Sequence, residues 1–188
     1  MDFLRDFCVP ICGLTGIRPL TAKCDIGPKG KPCSDNAAET GCKGIVRFTM
    51  KDNNQLCLIE WDLVNCGKEG LHGFHIHEKA DFSQGCVSAG PHYNPYNKTH
   101  GGPQDEERHV GDMGNIFVGK DGRSKGSMTD HLIKLSGPTS VVGRSVMVHA
   151  DEDDVGKGDN SEPGVNGKTS KTTGNAGARI GCGEIKYG

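Results

Sequence analysis

The sequence predicts an all-β fold, a sandwich or barrel of about eight short strands, from its composition, its alternating runs and its turn residues. The 188-residue chain has 29 glycines and 9 prolines, whereas aromatic residues make up only 5% of it. A chain that is poor in bulky residues and rich in turn formers favours short strands over long helices. Its length suits one domain with a single core.

The predicted strands are short runs in which apolar and polar residues alternate. Residues 43–50 (KGIVRFTM) and 56–64 (LCLIEWDLV) both alternate, and Asn53-Asn54 marks a turn between them. Asp121-Gly122 is a second strong turn signal, of the hairpin type. The remaining predicted strands are residues 22–26, 73–78, 115–118, 124–128, 132–135, 144–150 and 180–187.

Two segments are too long to be simple connections between strands. They are residues 79–110 and 151–178, and loops of such length in a compact domain are usually functional or disordered. The first contains His92 and His100 and ends near His109. These histidines favour a functional role for that loop.

The chain gives no sign of a nucleic-acid or membrane partner. Its formal net charge is −2, and no apolar run approaches the roughly 20 residues of a membrane-spanning helix. Asp2 and Asp6 occupy positions where a signal peptide carries basic residues, and Pro10 and Gly13 interrupt the only apolar stretch nearby. We therefore expect a cytoplasmic protein, with a targeting segment as the alternative.

The nine cysteines are an odd number, so at least one is unpaired within the chain. None of their spacings is C-x-x-C, which argues against a structural zinc finger or a thioredoxin-like site. Free thiols are the expected state in the cytosol. Cys33 and Cys42 bracket a polar stretch, and they are either free thiols or an extra disulfide.

Six of the eight histidines, together with one aspartate, form a candidate metal site. His75 and His77 are two apart on a predicted strand, so both imidazoles face the same way. A pair of this kind alone is more often structural than ligating. Imidazoles suit copper and zinc, and a carboxylate can complete a tetrahedral zinc. Seven candidates suit two sites that share one residue: His75, His77, His92, His100, His109, Asp112 and His149.

Five segments of the chain resemble the copper/zinc superoxide dismutases. They are GFHIHE at 73–78, GCVSAGPHYNP at 85–95, HVGDMGN at 109–115, GRSVMVHA at 143–150 and GNAGARIGCG at 174–183. The resemblance implies an eight-stranded antiparallel Greek-key barrel over residues 21–188, after an extension at residues 1–20. It also implies an enzyme that converts superoxide to dioxygen and hydrogen peroxide at a histidine-bridged copper–zinc pair.

The resemblance assigns a role to each matching residue. Copper would be held by His75, His77, His92 and His149, and zinc by His92, His100, His109 and Asp112. Asp153 would hydrogen-bond the free ring nitrogens of His75 and His100. The catalytic residues would be His92, which bridges the metals, and Arg179, which offers a fixed cation to a small anion. Cys86 and Cys182 would form a disulfide. His72 and His131 are expected to be structural or exposed.

The resemblance also implies a homodimer, which pairs through residues 79–83 and 183–188. Lys79, Glu184 and Lys186 put charges in these segments, so apolar contacts such as Ile185 would have to dominate. A copper chaperone is a further candidate partner, although the family's proline after the active-site arginine is absent here, which favours partial maturation without one.

The chain departs from the family at a lysine that steers the substrate. Thr172 stands at that position, and Lys168 and Lys171 are the nearby candidates for the role. Two other functions compete with dismutation: a protein that delivers or stores copper, and a module that uses zinc for folding alone. Neither needs the whole set of ligands together with the arginine.

Overall fold

The computed structural model describes residues 19–28, 41–51, 55–158 and 167–188. Nine strands, one α-helix and one 3-10 turn are found in these residues. The strands are β1 (Thr21–Ile26), β2 (Lys43–Lys51), β3 (Leu56–Val64), β4 (Gly70–His77), β5 (Ser83–Cys86), β6 (Asp112–Val118), β7 (Ser124–Asp130), β8 (Ser145–His149) and β9 (Arg179–Tyr187); the 3-10 turn is Val87–Ala89 and the helix is α1 (Gly167–Thr173).

Eight of the strands form one antiparallel sheet in the order β6-β4-β8-β9-β1-β2-β3-β7. The two end strands, β6 and β7, are joined by the short turn 119–123, which nearly closes the sheet into a barrel. The connections β3 to β4 and β7 to β8 cross between distant positions of the sheet, as in a Greek key. The predicted all-β, eight-stranded antiparallel barrel is confirmed.

The alternation of residues in the strands produces the core of the barrel. In β2, Val46, Phe48 and Met50 are buried, whereas Lys43 and Arg47 are exposed. Burial of a side chain the size of Phe48 contributes roughly 1.5–3 kcal/mol relative to its exposure. The inward faces of successive strands together form one continuous apolar cluster, against which the metal-binding elements are fixed.

One predicted strand is wrong and two short elements were missed. Residues 132–135 contain two fully buried side chains, but only Lys134 makes a single bridge, to Ser140. The backbone N–H groups of Leu132 and Ile133 donate instead to the Asp130 carboxylate, at 2.7 and 2.9 Å. Strand β5 lies in the first long loop and α1 in the second, and neither has the periodicity that would have predicted it.

Two disulfides join four of the six cysteines that the structure describes. Cys86 pairs with Cys182, as the resemblance implied, with their Cα atoms 5.8 Å apart. Cys42 pairs with Cys66, with Cα atoms 4.2 Å apart, so both expectations for Cys42, a free thiol or a bond to Cys33, are wrong. The β2–β3 ladder places Lys43 opposite Val64, which brings the two cysteines together at the open end of the hairpin.

The N-terminal predictions are untested. Residues 1–18 and Cys33 lie outside the described residues, so the boundary between an extension and a domain at residue 20 stays a prediction. Among the residues that the structure describes, no helix has both the length and the apolar character needed to cross a membrane.

Candidate metal centre

Strand pairing and two loop contacts assemble the histidines on the outer face of the sheet, because Phe74 and Ile76, which alternate with His75 and His77, lie in the apolar core. His75 and His77 lie on β4, and β8 ends at His149, opposite Arg179 at the start of β9. His92 comes from the first long loop, and a single bridge pairs it with His77. The loop contacts β4 closely, because the carbonyl oxygen of Ile76 accepts the N–H of Tyr93 at 2.8 Å.

A first group consists of four buried histidines whose ring nitrogens lie within 4.8 Å of one another, here called the four-histidine group: His75, His77, His92 and His149. In three of these rings, one nitrogen (the back nitrogen) has a hydrogen-bond partner, and the other (the front nitrogen) faces the space between the rings. His75 Nε2 lies 2.8 Å from Asp153, His77 Nδ1 lies 2.8 Å from the Gly90 carbonyl, and His149 Nδ1 lies 3.2 Å from the Gly177 carbonyl.

The front nitrogens of the same three rings have no hydrogen-bond partner among the residues that the structure describes. His75 Nδ1, His77 Nε2 and His149 Nε2 are buried without a hydrogen bond. A buried polar atom without a partner costs about 1–3 kcal/mol. Since each back nitrogen donates its proton, each front nitrogen presents a lone pair to the same space. A metal ion that favours imidazole, such as copper, would satisfy all of them.

A second group surrounds one carboxylate oxygen and is called the His–Asp group: His92, His100, His109 and Asp112. Asp112 Oδ1 lies 2.9 Å from His92 Nδ1, 2.9 Å from His100 Nδ1 and 3.0 Å from His109 Nδ1. The ligands of a tetrahedral zinc at about 2.0–2.1 Å are separated by about 3.3 Å. Three imidazole nitrogens around one oxygen therefore have the arrangement that a zinc ion requires.

The two groups share His92 and are joined again through Asp153. The carboxylate of Asp153 lies 2.8 Å from His75 Nε2 on one side and 2.8 Å from His100 Nε2 on the other. Asn115 holds Asp153 through two hydrogen bonds of 2.8 Å with its backbone N–H and carbonyl. A carboxylate in this position fixes which nitrogen of each ring faces the metal.

Arg179 lies at the edge of the cavity in front of the four-histidine group. Its guanidinium donates to the backbone carbonyls of Cys86 at 2.9 Å and Gly90 at 2.8 Å. The Cys86–Cys182 disulfide joins the loop that offers these carbonyls to β9 itself. The cavity has a volume of about 350 Å³, and its polar lining includes His92, His149, Thr169, Thr172, Thr173 and Arg179.

Comparison with known proteins identifies this arrangement. A family model described as copper/zinc superoxide dismutase matches residues 42–185. The chain belongs to the copper/zinc superoxide dismutase family. It is 52% identical over 147 residues to "Superoxide dismutase [Cu-Zn]" of Kluyveromyces lactis, a match that covers 78% of this chain and 90% of the relative. The protein of the same name from Onchocerca volvulus is 52% identical over 145 residues, covering 77% and 89%.

These matches confirm the predicted family, the oxidoreductase class and the pair of metals, copper and zinc. Three groups of described residues in this dismutase chain could hold a metal ion. Two coincide with the two predicted ligand sets, and the third, His75, His100 and Asp153, joins them.

The charge states of the histidines in this family member differ between the two groups. Burial, reinforced by neighbouring histidines, holds the pKa values of His75 and His77 well below the usual range and lowers the pKa of His149 to about 3. These imidazoles are therefore neutral at pH 7, which is the form that ligates metals. Burial also acts to lower the pKa of His100, but interactions with Asp112 and Asp153 outweigh it and raise that pKa to about 9.

Sequence reasoning missed a buried arginine beside the His–Asp group of this dismutase. The side chain of Arg108 is fully buried and donates to the backbone carbonyl of Asp112 and to the Asp130 carboxylate, both at 2.6 Å. This pair ties the end of the first long loop to β7. The sequence could have indicated this role, because Arg108 directly precedes His109 in a loop that carries ligands and could therefore position them.

The remaining expectations concern residues around the two groups. His72 is buried, with its ring nitrogens 2.8 Å from the His149 carbonyl and 2.9 Å from the Lys68 carbonyl, so its role is structural, and His131 is exposed. Lys171 is exposed and does not line the cavity, because α1 turns its threonines toward the opening. The side chain of Lys168 lies outside the described residues.

Proposed function

We propose that this chain disproportionates two superoxide anions and two protons into dioxygen and hydrogen peroxide, with copper in the four-histidine group and zinc in the His–Asp group. The observation that carries the proposal is His92, which belongs to both groups and has Nδ1 only 2.9 Å from Asp112. When bound, copper supplies one-electron redox chemistry and zinc supplies a positive charge without redox chemistry.

His92 is proposed to carry one of the two protons that hydrogen peroxide needs, and water supplies the other. Its Nδ1 faces the His–Asp group, so its Nε2 is the atom that faces the cavity and exchanges a proton with peroxide. An imidazole suits this role, because its charge changes within the physiological pH range. His109 and Asp112 keep the ring of His92 in place while Nε2 gains and loses the proton.

Arg179 is proposed to bind the substrate beside the four-histidine group. Superoxide is a small anion. Three backbone carbonyls accept hydrogen bonds of 2.8–3.1 Å from the guanidinium, so its positive charge has a fixed position at the cavity. A fixed cation in a narrow opening orients a diatomic anion and disfavours larger ones.

Metal analysis with an activity assay tests the proposed function. Loaded protein should contain one copper and one zinc per chain and should consume superoxide, whereas protein loaded with zinc alone should not. A chain that binds copper but lacks activity would be a delivery or storage protein. A chain that takes up a single metal, with all seven ligands intact, would contradict the shared-ligand arrangement.

We also propose a homodimer, but with different contacts from those that the sequence suggested. Ile185 is fully buried in its own chain, so it cannot contribute to pairing. Glu184 forms an ion pair of 2.9 Å with Lys186 of the same chain. The exposed aromatic residue in this region is Tyr187, which is 57% exposed, and we propose that it supplies the main apolar contact.

Sedimentation measures whether the dimer forms. We expect a dimer at micromolar concentration and a shift toward monomer in Tyr187→Ala, because that variant removes apolar area from the interface. Phe117→Ala is the matched control, since Phe117 is 59% exposed on β6 and should leave the dimer unchanged. A wild-type monomer at micromolar concentration would refute this part of the proposal.

The cytoplasm remains our proposed location, supported by Asp2 and Asp6 in the N-terminal segment. A copper chaperone remains a candidate partner. Ile180 follows Arg179, and on this basis we propose that the chain matures partly without such a chaperone.

A further inference from the structure

Helix α1 forms one wall of the cavity in front of the four-histidine group. Thr169, Thr172 and Thr173 face the cavity from this helix, and Asn175 lines it directly afterwards. The helix has only seven residues and belongs to no ladder of the sheet. A helix this short is marginal by itself, so its position depends on contacts with neighbouring segments. The backbone N–H of His100 donates to the Lys171 carbonyl at 2.9 Å, and Asp154 contacts the helix from the segment that precedes it.

Asp154 contacts this wall at two points. Its Oδ1 accepts a hydrogen bond from the Ser170 hydroxyl at 2.7 Å, and its Oδ2 accepts one from the Asn175 amide at 2.6 Å. Hydrogen bonds to an ionised group are about twice as strong as those between neutral groups. One carboxylate therefore fixes both the middle of α1 and the residue that follows the helix.

The Ser170 hydroxyl is held in one orientation by a second hydrogen bond. It is fully buried, and its Oγ also accepts the backbone N–H of Gly158 at 2.9 Å. The hydroxyl thus donates to Asp154 and accepts from Gly158, which satisfies it in both roles. The backbone N–H of Asp154 donates in addition to the Gly174 carbonyl at 2.8 Å, so the carboxylate and the backbone of this residue hold the same segment.

The end of the helix also lies on the link between the two metal-binding groups. Gly174 has a φ of +65°, and a Cβ atom there would collide with the Asp153 carboxylate that bonds His100. Only glycine allows so close an approach. The placement of α1 therefore decides the width of the cavity and how closely Gly174 packs against the Asp153 carboxylate.

We propose that Asp154 is a positioning residue that clamps α1 against the cavity and so sets the size of the molecule that reaches the four-histidine group. Asp154 acts through Ser170 and Asn175 and not by contact with the ligands. The inference rests on the proposed function, because the cavity is then the path of the substrate.

Backbone amide exchange of the Asp154→Ala variant tests the clamp directly. We expect the amides of residues 169–175 to exchange at least about tenfold faster than in wild type, in metal-free and in loaded protein, which corresponds to about 1.4 kcal/mol. The amides of β2 and β3 should keep their rates, since the barrel does not depend on this contact.

Two probes of different size, a bulky copper chelator and the small anion azide, report how wide the opening to the four-histidine group is. In the loaded Asp154→Ala variant, a bulky chelator such as bathocuproine disulfonate, with a reductant present, should remove copper at least about tenfold faster. The affinity for the small anion azide, followed in the visible spectrum, should change less than twofold. A chain that merely unfolds more easily would instead exchange faster in every strand and would not discriminate between the two probes.

Three further variants complete the test. Glu152→Ala removes the same charge from an exposed residue of the same segment and should behave as wild type. Asp154→Asn keeps one acceptor oxygen and should be intermediate, and it carries the test if the alanine variant does not fold. Ser170→Ala combined with Asp154→Ala should accelerate exchange by less than the product of the two single effects, because both changes remove the Ser170–Asp154 bond, although Ser170→Ala also removes the bond to Gly158.

Unchanged exchange in residues 169–175 of Asp154→Ala would overturn the clamp. So would equal acceleration in all strands. Amide exchange in metal-free protein is independent of catalysis, whereas inactivity of the loaded wild-type chain would overturn the proposed function and leave the exchange result standing.

Discussion

Replacing His149 with alanine should abolish dismutation and leave the His–Asp group able to bind zinc. His149 Nε2 is one of the buried nitrogens without a partner in the four-histidine group, and His149 is absent from the second group. Loss of a residue that merely supports a metal ligand reduces metal affinity or activity by about 10–100-fold. Loss of a ligand should therefore lower kcat/KM by more than about 100-fold.

The reciprocal variant, Asp112→Ala, separates the two groups. Its carboxylate oxygen is within 3.0 Å of three imidazole nitrogens, so zinc should be lost first. Elemental analysis should find one zinc and little copper in His149→Ala, and the opposite imbalance in Asp112→Ala. Activity within about tenfold of wild type for His149→Ala, or equal loss of both metals in both variants, would contradict the assignment of ligands.

Alternation of residues predicted the barrel well, because it reports which side chains are buried. It cannot report which partner a backbone N–H finds. Residues 132–135 illustrate the difference, since Ile133 and Leu135 are fully buried as a strand pattern requires, yet the Asp130 side chain takes the N–H groups of Leu132 and Ile133. Burial was therefore predicted correctly there and strand pairing was not.

The seven candidate ligands could be picked out from the sequence, because a metal centre is the arrangement that most readily accounts for six histidines and an aspartate in these positions, whereas their division into a copper set and a zinc set came from the resemblance. The supporting contacts were not accessible. Asp154 meets Ser170 and Asn175 within a loop that has no periodicity, and its neighbour Asp153 drew attention only through the resemblance. The Cys42–Cys66 bond could have been derived, because the register of the predicted hairpin places residues 43 and 64 opposite each other.

Reversing the charge of Arg179 should have the largest effect on substrate capture. The polypeptide itself has a formal net charge of −2, so it offers superoxide no long-range attraction, and capture depends on the local positive charge at the cavity, where Arg179 adds to the charge of the bound metals. Arg179 is the permanently charged side chain among the described residues that line this cavity. A focused local field changes association rates by roughly 10–1,000-fold. Arg179→Glu should therefore lower kcat/KM by at least about tenfold at low ionic strength.

Salt provides the decisive comparison for this variant. Ions screen the field over about 8–10 Å at physiological strength, so wild-type activity should fall as salt is added, whereas Arg179→Glu should rise because its repulsion is screened. Lys171→Glu makes the same change of charge at an exposed residue that does not line the cavity, and its effect should be much smaller. Arg179→Gln, which removes the charge without placing a carboxylate against the carbonyls of Cys86 and Gly90, should be intermediate and nearly independent of salt. A wild-type rate that is flat from low to high salt, with Arg179→Glu close to wild type, would show that Arg179 does not guide the substrate.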